Sequence, residues 1–204
     1  MRVAPLRRAL DYGERPNPAA GILETLLVRE RRVVRYDVHR ERMNASARAL
    51  YGVAPPAAPT PPPVHRRDGA LRLTFVAGVG LSVHERALSG DPVVRGLAPF
   101  ELPGGLGPHK WADRRLIDAL TQAADGALVL LIDSDGTVLE ASWATVLIEE
   151  HGRLIAPLTA GRALPGIGRT RLSYDEEPVD LDRLLAADAV VLASSLRVLR
   201  IANR

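Results

Sequence analysis

Gly107-Pro-His-Lys110-Trp-Ala-Asp-Arg-Arg115 carries the only lysine of the chain, one among 27 lysine and arginine residues in 204. Every other basic position uses arginine. A solvated charge or a carboxylate partner is served by either residue. A reversible nucleophile is not, because guanidinium keeps its proton while a desolvated ammonium releases it. Lys110 is therefore a candidate Schiff-base or general-base residue. The competing reading is an arginine-rich codon bias that one lysine escaped.

Upstream of this stretch, Ala98-Pro-Phe-Glu-Leu-Pro-Gly-Gly-Leu-Gly-Pro108 is rich in proline and glycine and reads as an interdomain linker over 98–108. It divides the chain into a small N-terminal α+β lobe, 1–97, and a strand-rich C-terminal lobe, 109–204. Residues 1–20 read as irregular, broken by Pro5, Gly13, Pro16 and Pro18. Gly21 to Arg29 and Val33 to Tyr36 are apolar runs around a short charged turn, a hairpin pattern. Asp37 is a good N-cap for a helix from Val38 to Tyr51, whose Met43, Ala47 and Leu50 share one face. His39 and Arg42 are neighbours near its start. His39 reads as a capping or packing histidine, and Arg42 as a surface residue or as a fork aimed at an anion. Val53 to Pro63 is a stiff, extended spacer, or a segment for a proline-reading partner. Leu71 to Val76 and Gly80 to Leu88 alternate like half-buried antiparallel strands.

Downstream, Ala112 to Ala124 has a helical face in Leu116, Ile117, Leu120 and Ala124. Ala127 to Asp133 reads as a strand, and Ser134-Asp135-Gly136 as a tight hairpin turn. Thr137 to Glu149 is too long for one plain strand and is expected to bulge near Ser142-Trp143. Arg153 to Pro157 is a further strand. Leu164-Pro-Gly-Ile-Gly-Arg169 is expected to open a helix over Thr170 to Tyr174. A short helix over Asp180 to Leu185 and a strand over Ala189 to Ala193, closed by Ser194-Ser195, complete the chain.

Composition narrows the function. There is no cysteine, which excludes disulfides and thiolate metal sites. Net charge is +3, and the densest basic region, Arg29 to Arg42, is interleaved with Glu30, Asp37 and Glu41. A nucleic-acid surface would pair a basic stripe with stacking aromatics, yet aromatics are only 4% of the chain. The apolar runs are strand-length, far below a membrane span, and the first residues lack the apolar core of a signal peptide. The expected partner is a small molecule in the cytoplasm, with no nucleic acid, membrane or metal.

Three features join Lys110. Glu140 interrupts the apolar run Val138-Leu-Glu-Ala141, where an acid needs a cationic partner or takes up a proton; the alternative is the exposed face of an alternating strand. Gly166-Ile-Gly-Arg169 offers backbone N–H groups to a phosphate. Ser194-Ser195 offers hydroxyls. An amine, an acid, an arginine, a glycine-rich turn and hydroxyls are the inventory that a pyridoxal phosphate site needs.

These segments, in this order, resemble the class IV aminotransferases (fold-type IV pyridoxal phosphate enzymes), from about Gly21 to Ile201. Gly21-Ile-Leu-Glu-Thr25 resembles the family's glycine, aromatic, Glu-Thr strand. Val38-His-Arg-Glu-Arg-Met43 resembles its H-x-x-R-L helix, Asp135-Gly-Thr-Val-Leu-Glu140 its D-G-x-V-x-E run, and Leu164 to Arg169 its L-P-G-I-T-R. The resemblance implies an α+β, two-lobed, D-amino-acid aminotransferase-like fold and a homodimer. It implies pyridoxal 5'-phosphate on Lys110, its phosphate held by Arg42, Ile167, Gly168 and Ser194 and its pyridine nitrogen paired with Glu140. Thr145 stands where the family has asparagine, and Gly168 where it has threonine. Lys110 followed by Asp113-Arg114, with no tyrosine nearby, is most similar to aminodeoxychorismate lyase, which makes 4-aminobenzoate and pyruvate for folate synthesis. Branched-chain or D-amino-acid aminotransferase activity, and a catalytically degenerate cofactor-binding relative, remain open.

Overall fold

A computed structural model describes residues 2–57 and 60–203. Its contacts divide the chain into two compact units, each discontinuous in sequence: Met1–Arg15, Pro92–Pro108 and Arg115–Arg204 form one, and Pro16–Asp91 with His109–Arg114 the other. The sequence reading expected contiguous lobes with a linker at 98–108.

The unit that holds Lys110 is a four-stranded antiparallel sheet under one long helix. Strand Ile22–Arg29 lies between the short strand Arg32–Val33 and Gly69–Val76, with Gly80–Arg86 outermost. The helix runs Tyr36–Tyr51, with Arg35 rather than Asp37 at its N-cap, in the left-handed region and without a side-chain cap. Its Tyr36, Met43 and Ala47 pack on Ile22, Leu26, Val28, Leu71, Leu73 and Phe75. The even positions of the strand thus face the helix, as the period-two geometry requires. Gly21 opens the strand at φ +91, and a Cβ there would run into the Phe75 carbonyl, so only glycine fits.

Residues 109–114 join this unit by adding to the start of the strand. Ile22 and Trp111 form an antiparallel bridge, Leu23 N–H donates to the Lys110 carbonyl at 2.8 Å, and Ala112 N–H donates to Gly21 at 3.0 Å. Asn17 N–H donates to Asp113 Oδ2 at 2.9 Å. Hydrogen bonds of this kind carry no composition signal, which is why the boundary drawn at 109 differs.

The other unit has two sheets. In the first, Gly96–Glu101 lies between Leu128–Ile132 and the short strands Arg2–Val3 and Arg7–Arg8, all parallel, with Val138–Ala141 antiparallel at the far edge. The first residues of the expected linker, 98–101, thus belong to an internal strand, and the expected irregular N-terminus supplies its neighbour. Proline does not forbid this. Pro99 stands opposite the break between Arg2–Val3 and Arg7–Arg8, where that ladder has no rung. Leu128, Leu130 and Ile132 enter one core cluster, with Leu97, Val146, Ile155 and Leu192. Val129 and Leu131 enter another, with Phe100 and with Leu116 and Leu120 of the helix Arg115–Ala123. A strand buried on both faces reads as the continuous apolar run seen at 128–132.

The second sheet runs Asp175–Glu177, Arg153–Pro157, Thr145–Glu150, Ala189–Ala193, Val198–Ala202. The long run 137–149 breaks where a bulge was expected. Val138–Ala141 belongs to the first sheet and Thr145–Glu150 to the second, joined by a turn in which Ala141 N–H donates to the Ala144 carbonyl at 2.9 Å. The helix expected over 170–174 is instead a 3-10 turn, Ile167–Arg171, after which the chain extends into Asp175–Glu177. Pairing of that strand with Arg153–Pro157 requires extended backbone where a helix would have continued. The expected helix near 180 is Leu181–Ala186, capped by Asp180, whose side chain accepts from Arg183 N–H at 2.8 Å. Among the described residues no helix is long and apolar enough to cross a membrane. Part of the proline-rich spacer, residues 58 and 59, lies outside the described residues.

Candidate active site

In the unit that holds Lys110, the neighbouring chemistry is a buried acid and its two bases. Glu24 lies mid-strand and is 1% exposed. His39 Nδ1 stands 2.6 Å from its Oε2. Arg42 donates to it twice, Nε to Oε1 at 2.8 Å and Nη2 to Oε2 at 2.7 Å. Residues 39 and 42 are one helical turn apart, so both meet the same strand residue. Burial alone pushes the Glu24 carboxyl up, but the bonds from His39 and Arg42 outweigh it and hold the group below its ordinary value. His39 is pushed down, first by burial and then by the charges of Arg42 and Lys110, against the pull of Glu24. A neutral imidazole facing an ionised carboxylate must carry its proton on Nδ1, which leaves Nε2 as an acceptor. His39 is therefore an orienting partner of Glu24 rather than a cap. Arg42 is not a plain surface residue: its side chain is 13% exposed, and the two bonds to Glu24 fix the plane of its guanidinium.

In the other unit, Glu140 is half-buried between the buried Leu139 and Ala141, in register with Leu131. The glycine-rich turn is packed by contact. A Cβ on Gly166 would overlap the Thr145 hydroxyl, and one on Gly168 would fall on the Ser194 backbone, 2.7 Å from its nitrogen. The structure thus brings Gly168 against Ser194 and the turn against Thr145. Ile167 is 5% exposed. The Ser194 hydroxyl is occupied by its own turn: it accepts from Leu196 N–H at 3.3 Å and Arg197 N–H at 3.2 Å, and lies 3.2 Å from the Arg197 carbonyl.

One assembly escaped the sequence reading. Arg162 Nη1 binds Asp133 at 2.6 Å and Asp135 at 2.7 Å, and its Nε donates to the Thr159 carbonyl at 2.9 Å. Gly107 N–H donates to the Arg162 carbonyl at 3.0 Å, and Gly104 N–H to Asp133 Oδ1 at 2.8 Å. In the sequence Asp133 reads as the end of a strand and Asp135 as a hairpin-turn residue. They also hold the segment 104–107 that precedes Lys110 in the chain. Thr137 and then Arg162 hold Asp135 down at about 2.

Residues 110–204 match the family model of amino-transferase class IV. This part of the chain is similar to the class IV amino-transferases. The class IV segment opens on Lys110 itself and includes Glu140, Ile167, Gly168 and Ser194, whereas Glu24, His39 and Arg42 precede it. The fold covers those as well. An inferred 4-amino-4-deoxychorismate lyase from Legionella pneumophila aligns with a TM-score of 0.74 at 20% identity, over 97% of this chain and 90% of that one. A hypothetical aminotransferase from Mycobacterium tuberculosis, with alpha-ketoglutarate and PMP bound, aligns with a TM-score of 0.73 at 21% identity, over 90% and 80%. A fold IV-transaminase from Curtobacterium pusillum gives 0.68 at 19%, over 90% and 78%. The chain has the strand-rich α+β fold of these proteins. No curated protein sequence matches it.

Proposed function

We propose that the protein is a pyridoxal phosphate-dependent enzyme that acts on 4-amino-4-deoxychorismate as a lyase, releasing pyruvate and 4-aminobenzoate. One observation carries the reading: the only lysine opens the class IV segment and is clasped by backbone bonds to the strand that bears Glu24, beside Arg42 and His39. The donor set fits a cofactor with an aldehyde, a ring nitrogen and a phosphate: one primary amine, a carboxylate in an apolar strand, a guanidinium and turn N–H groups. By the family resemblance, Lys110 attaches it, Glu140 pairs with the ring nitrogen, and Arg42, Ile167, Gly168 and Ser194 hold the phosphate. The Ser194 hydroxyl would have to turn from Arg197 to do so; its neighbours in the loop reach through backbone.

When bound, the cofactor supplies an electron sink for the pair left when a proton departs from the amine-bearing carbon. Lys110, its nitrogen freed when the substrate amine takes its place, would remove that proton as general base. Glu140 would hold a proton at the ring nitrogen, so that the sink stays charged. Glu24 keeps the Arg42 guanidinium in one plane and His39 in one tautomer, so neither reorganises during turnover. The lyase reading rests on Lys110 followed by Asp113-Arg114 and on the inferred 4-amino-4-deoxychorismate lyases among the similar folds. A second reading, transamination of a small amino acid, uses the same residues and is favoured by the aminotransferases among those folds. On either reading the enzyme works in the cytoplasm as a homodimer.

The deciding experiment is borohydride reduction of the cofactor-loaded protein, with mass spectrometry of the Lys110 peptide. Cofactor mass on Lys110 supports the enzyme; a protein that takes up none removes it. Production of 4-aminobenzoate from aminodeoxychorismate then selects the lyase, and keto acid formation from an amino acid selects the transaminase.

A further inference from the structure

The helix Tyr36–Tyr51 presents a third group on the side that carries His39 and Arg42. Ser46 lies seven residues beyond His39 and one turn beyond Arg42, and it is 6% exposed. Its hydroxyl oxygen lies 3.0 Å from Nδ1 of His109, the residue immediately before Lys110. The His109 ring stands edge-on to Trp111, with centroids 5.5 Å apart and planes at 80°. Trp111 packs in turn against the core under the helix. Lys110 thus sits between two anchored rings, His109 tied to the helix and Trp111 bridged to Ile22. Its own carbonyl is held by Leu23 N–H at 2.8 Å. Downstream, backbone bonds at Gly21 and Leu23 already restrain the chain. On the upstream side the His109–Ser46 bond restrains it, through a side chain.

We propose that His109, held by Ser46, is a positioning residue for Lys110: it fixes the direction from which the amine leaves the backbone. This rests on the assignment of Lys110 as the reactive amine and adds how the amine is aimed. The physical case is torsional. A lysine has four side-chain rotors, and a free backbone hinge at 109 would add two more. A neutral ring bonded to a buried hydroxyl removes that hinge without placing a charge beside the amine. Burial pushes the His109 imidazole down, consistent with a neutral ring. Residue 109 is also where the bond has most leverage, because a small rotation there swings the whole side chain of residue 110.

The test uses the full chain, carrying S46A, H109L or H109N. Asparagine puts its amide near the place of Nδ1 and can remake the bond to Ser46; leucine cannot. Two rates are read at the Lys110 peptide by mass spectrometry: reductive methylation by formaldehyde and cyanoborohydride, which needs no cofactor, and borohydride-trapped attachment of pyridoxal phosphate. Thermal unfolding checks that each variant folds. S46A and H109L are expected to lower both rates roughly ten- to a hundredfold, the scale of a misplaced reacting group, and H109N to recover most of the loss. Folded S46A and H109L reacting at the wild-type rate would overturn the proposal. So would H109N behaving like H109L. If methylation follows the expected order while no variant, wild type included, takes up pyridoxal phosphate, the positioning role stands and the proposed enzyme falls.

Discussion

The Glu24 cluster and the Gly166–Gly168 turn are built by opposite means. Around Glu24 the chain brings charge into the interior and then satisfies it: one buried carboxylate, a doubly bonded guanidinium and a neutral imidazole. Around Gly168 it removes side chains, so that the turn lies directly on the Ser194 backbone and under the Thr145 hydroxyl. A site made of paired charges fails when a partner is taken away. A site made of missing side chains fails when one is added. The two departures from the family pattern fall in the second region, and there they have a steric reason: Gly168 has no room for the β-carbon that threonine would bring, and Thr145 fills the space against Gly166.

That contrast breaks most sharply at Glu24. Glu24→Ala should destabilise the fold by about 3–5 kcal/mol, because it leaves the half-buried Arg42 beside His39 without its buried counter-charge; chemical denaturation measures it, and a loss within the surface range would show that the cluster is dispensable. Gly168→Thr restores the family residue and yet should cost about 1–3 kcal/mol through overpacking against Ser194. It should also weaken cofactor retention, read by equilibrium dialysis of pyridoxal phosphate; tighter retention would show that the turn yields easily.

Acid sharpens the comparison through sign. Both titrating groups of the Glu24 cluster are held below their ordinary values. For His39 the unfolded chain takes up a proton below pH 6.5 while the folded chain does not, so stability falls as pH drops from there toward the lowered folded value. For Glu24 the contribution is present above 4.5 and is lost as pH falls through its lowered folded value. Asp135 keeps its contribution until pH falls from 3.8 toward about 2. Unfolding midpoints from pH 7.5 to 5 should therefore decline in the wild type and less in His39→Asn; equal slopes would remove His39 from the account. The smallest effect belongs to Arg200→Ala. Its side chain is 54% exposed where it meets Glu149, so water replaces the pair and salt already screens it, and the thermal midpoint should stay at the wild-type value.

Legibility followed the range of the interaction. The strand Ala189–Ala193, the break near Ser142 and the helix capped by Asp180 were readable because each rests on a local pattern of burial or capping. So was the inventory of reactive groups, because a lone lysine among arginines is visible without a structure. The strand Gly96–Glu101 was hidden by its own proline and the glycines that follow it, which punctuate loops more often than strand ends. The clasp of 109–114 onto Gly21 and Leu23, the Glu24–His39 bond across 15 residues and the Ser46–His109 bond across 63 leave no mark in composition or periodicity.

The sequence by itself determined which groups exist and in what order: one amine, an acid in an apolar strand, an arginine one helical turn after a histidine, and a glycine turn. Period and propensity act within a few residues, and those are the distances over which such patterns are set. Only the tertiary structure decided that Glu24 is the acid that organises His39 and Arg42, that Gly168 is closed to a side chain, and that His109 is tied to the helix. Each of these depends on burial, and burial is a property of what the rest of the chain places alongside.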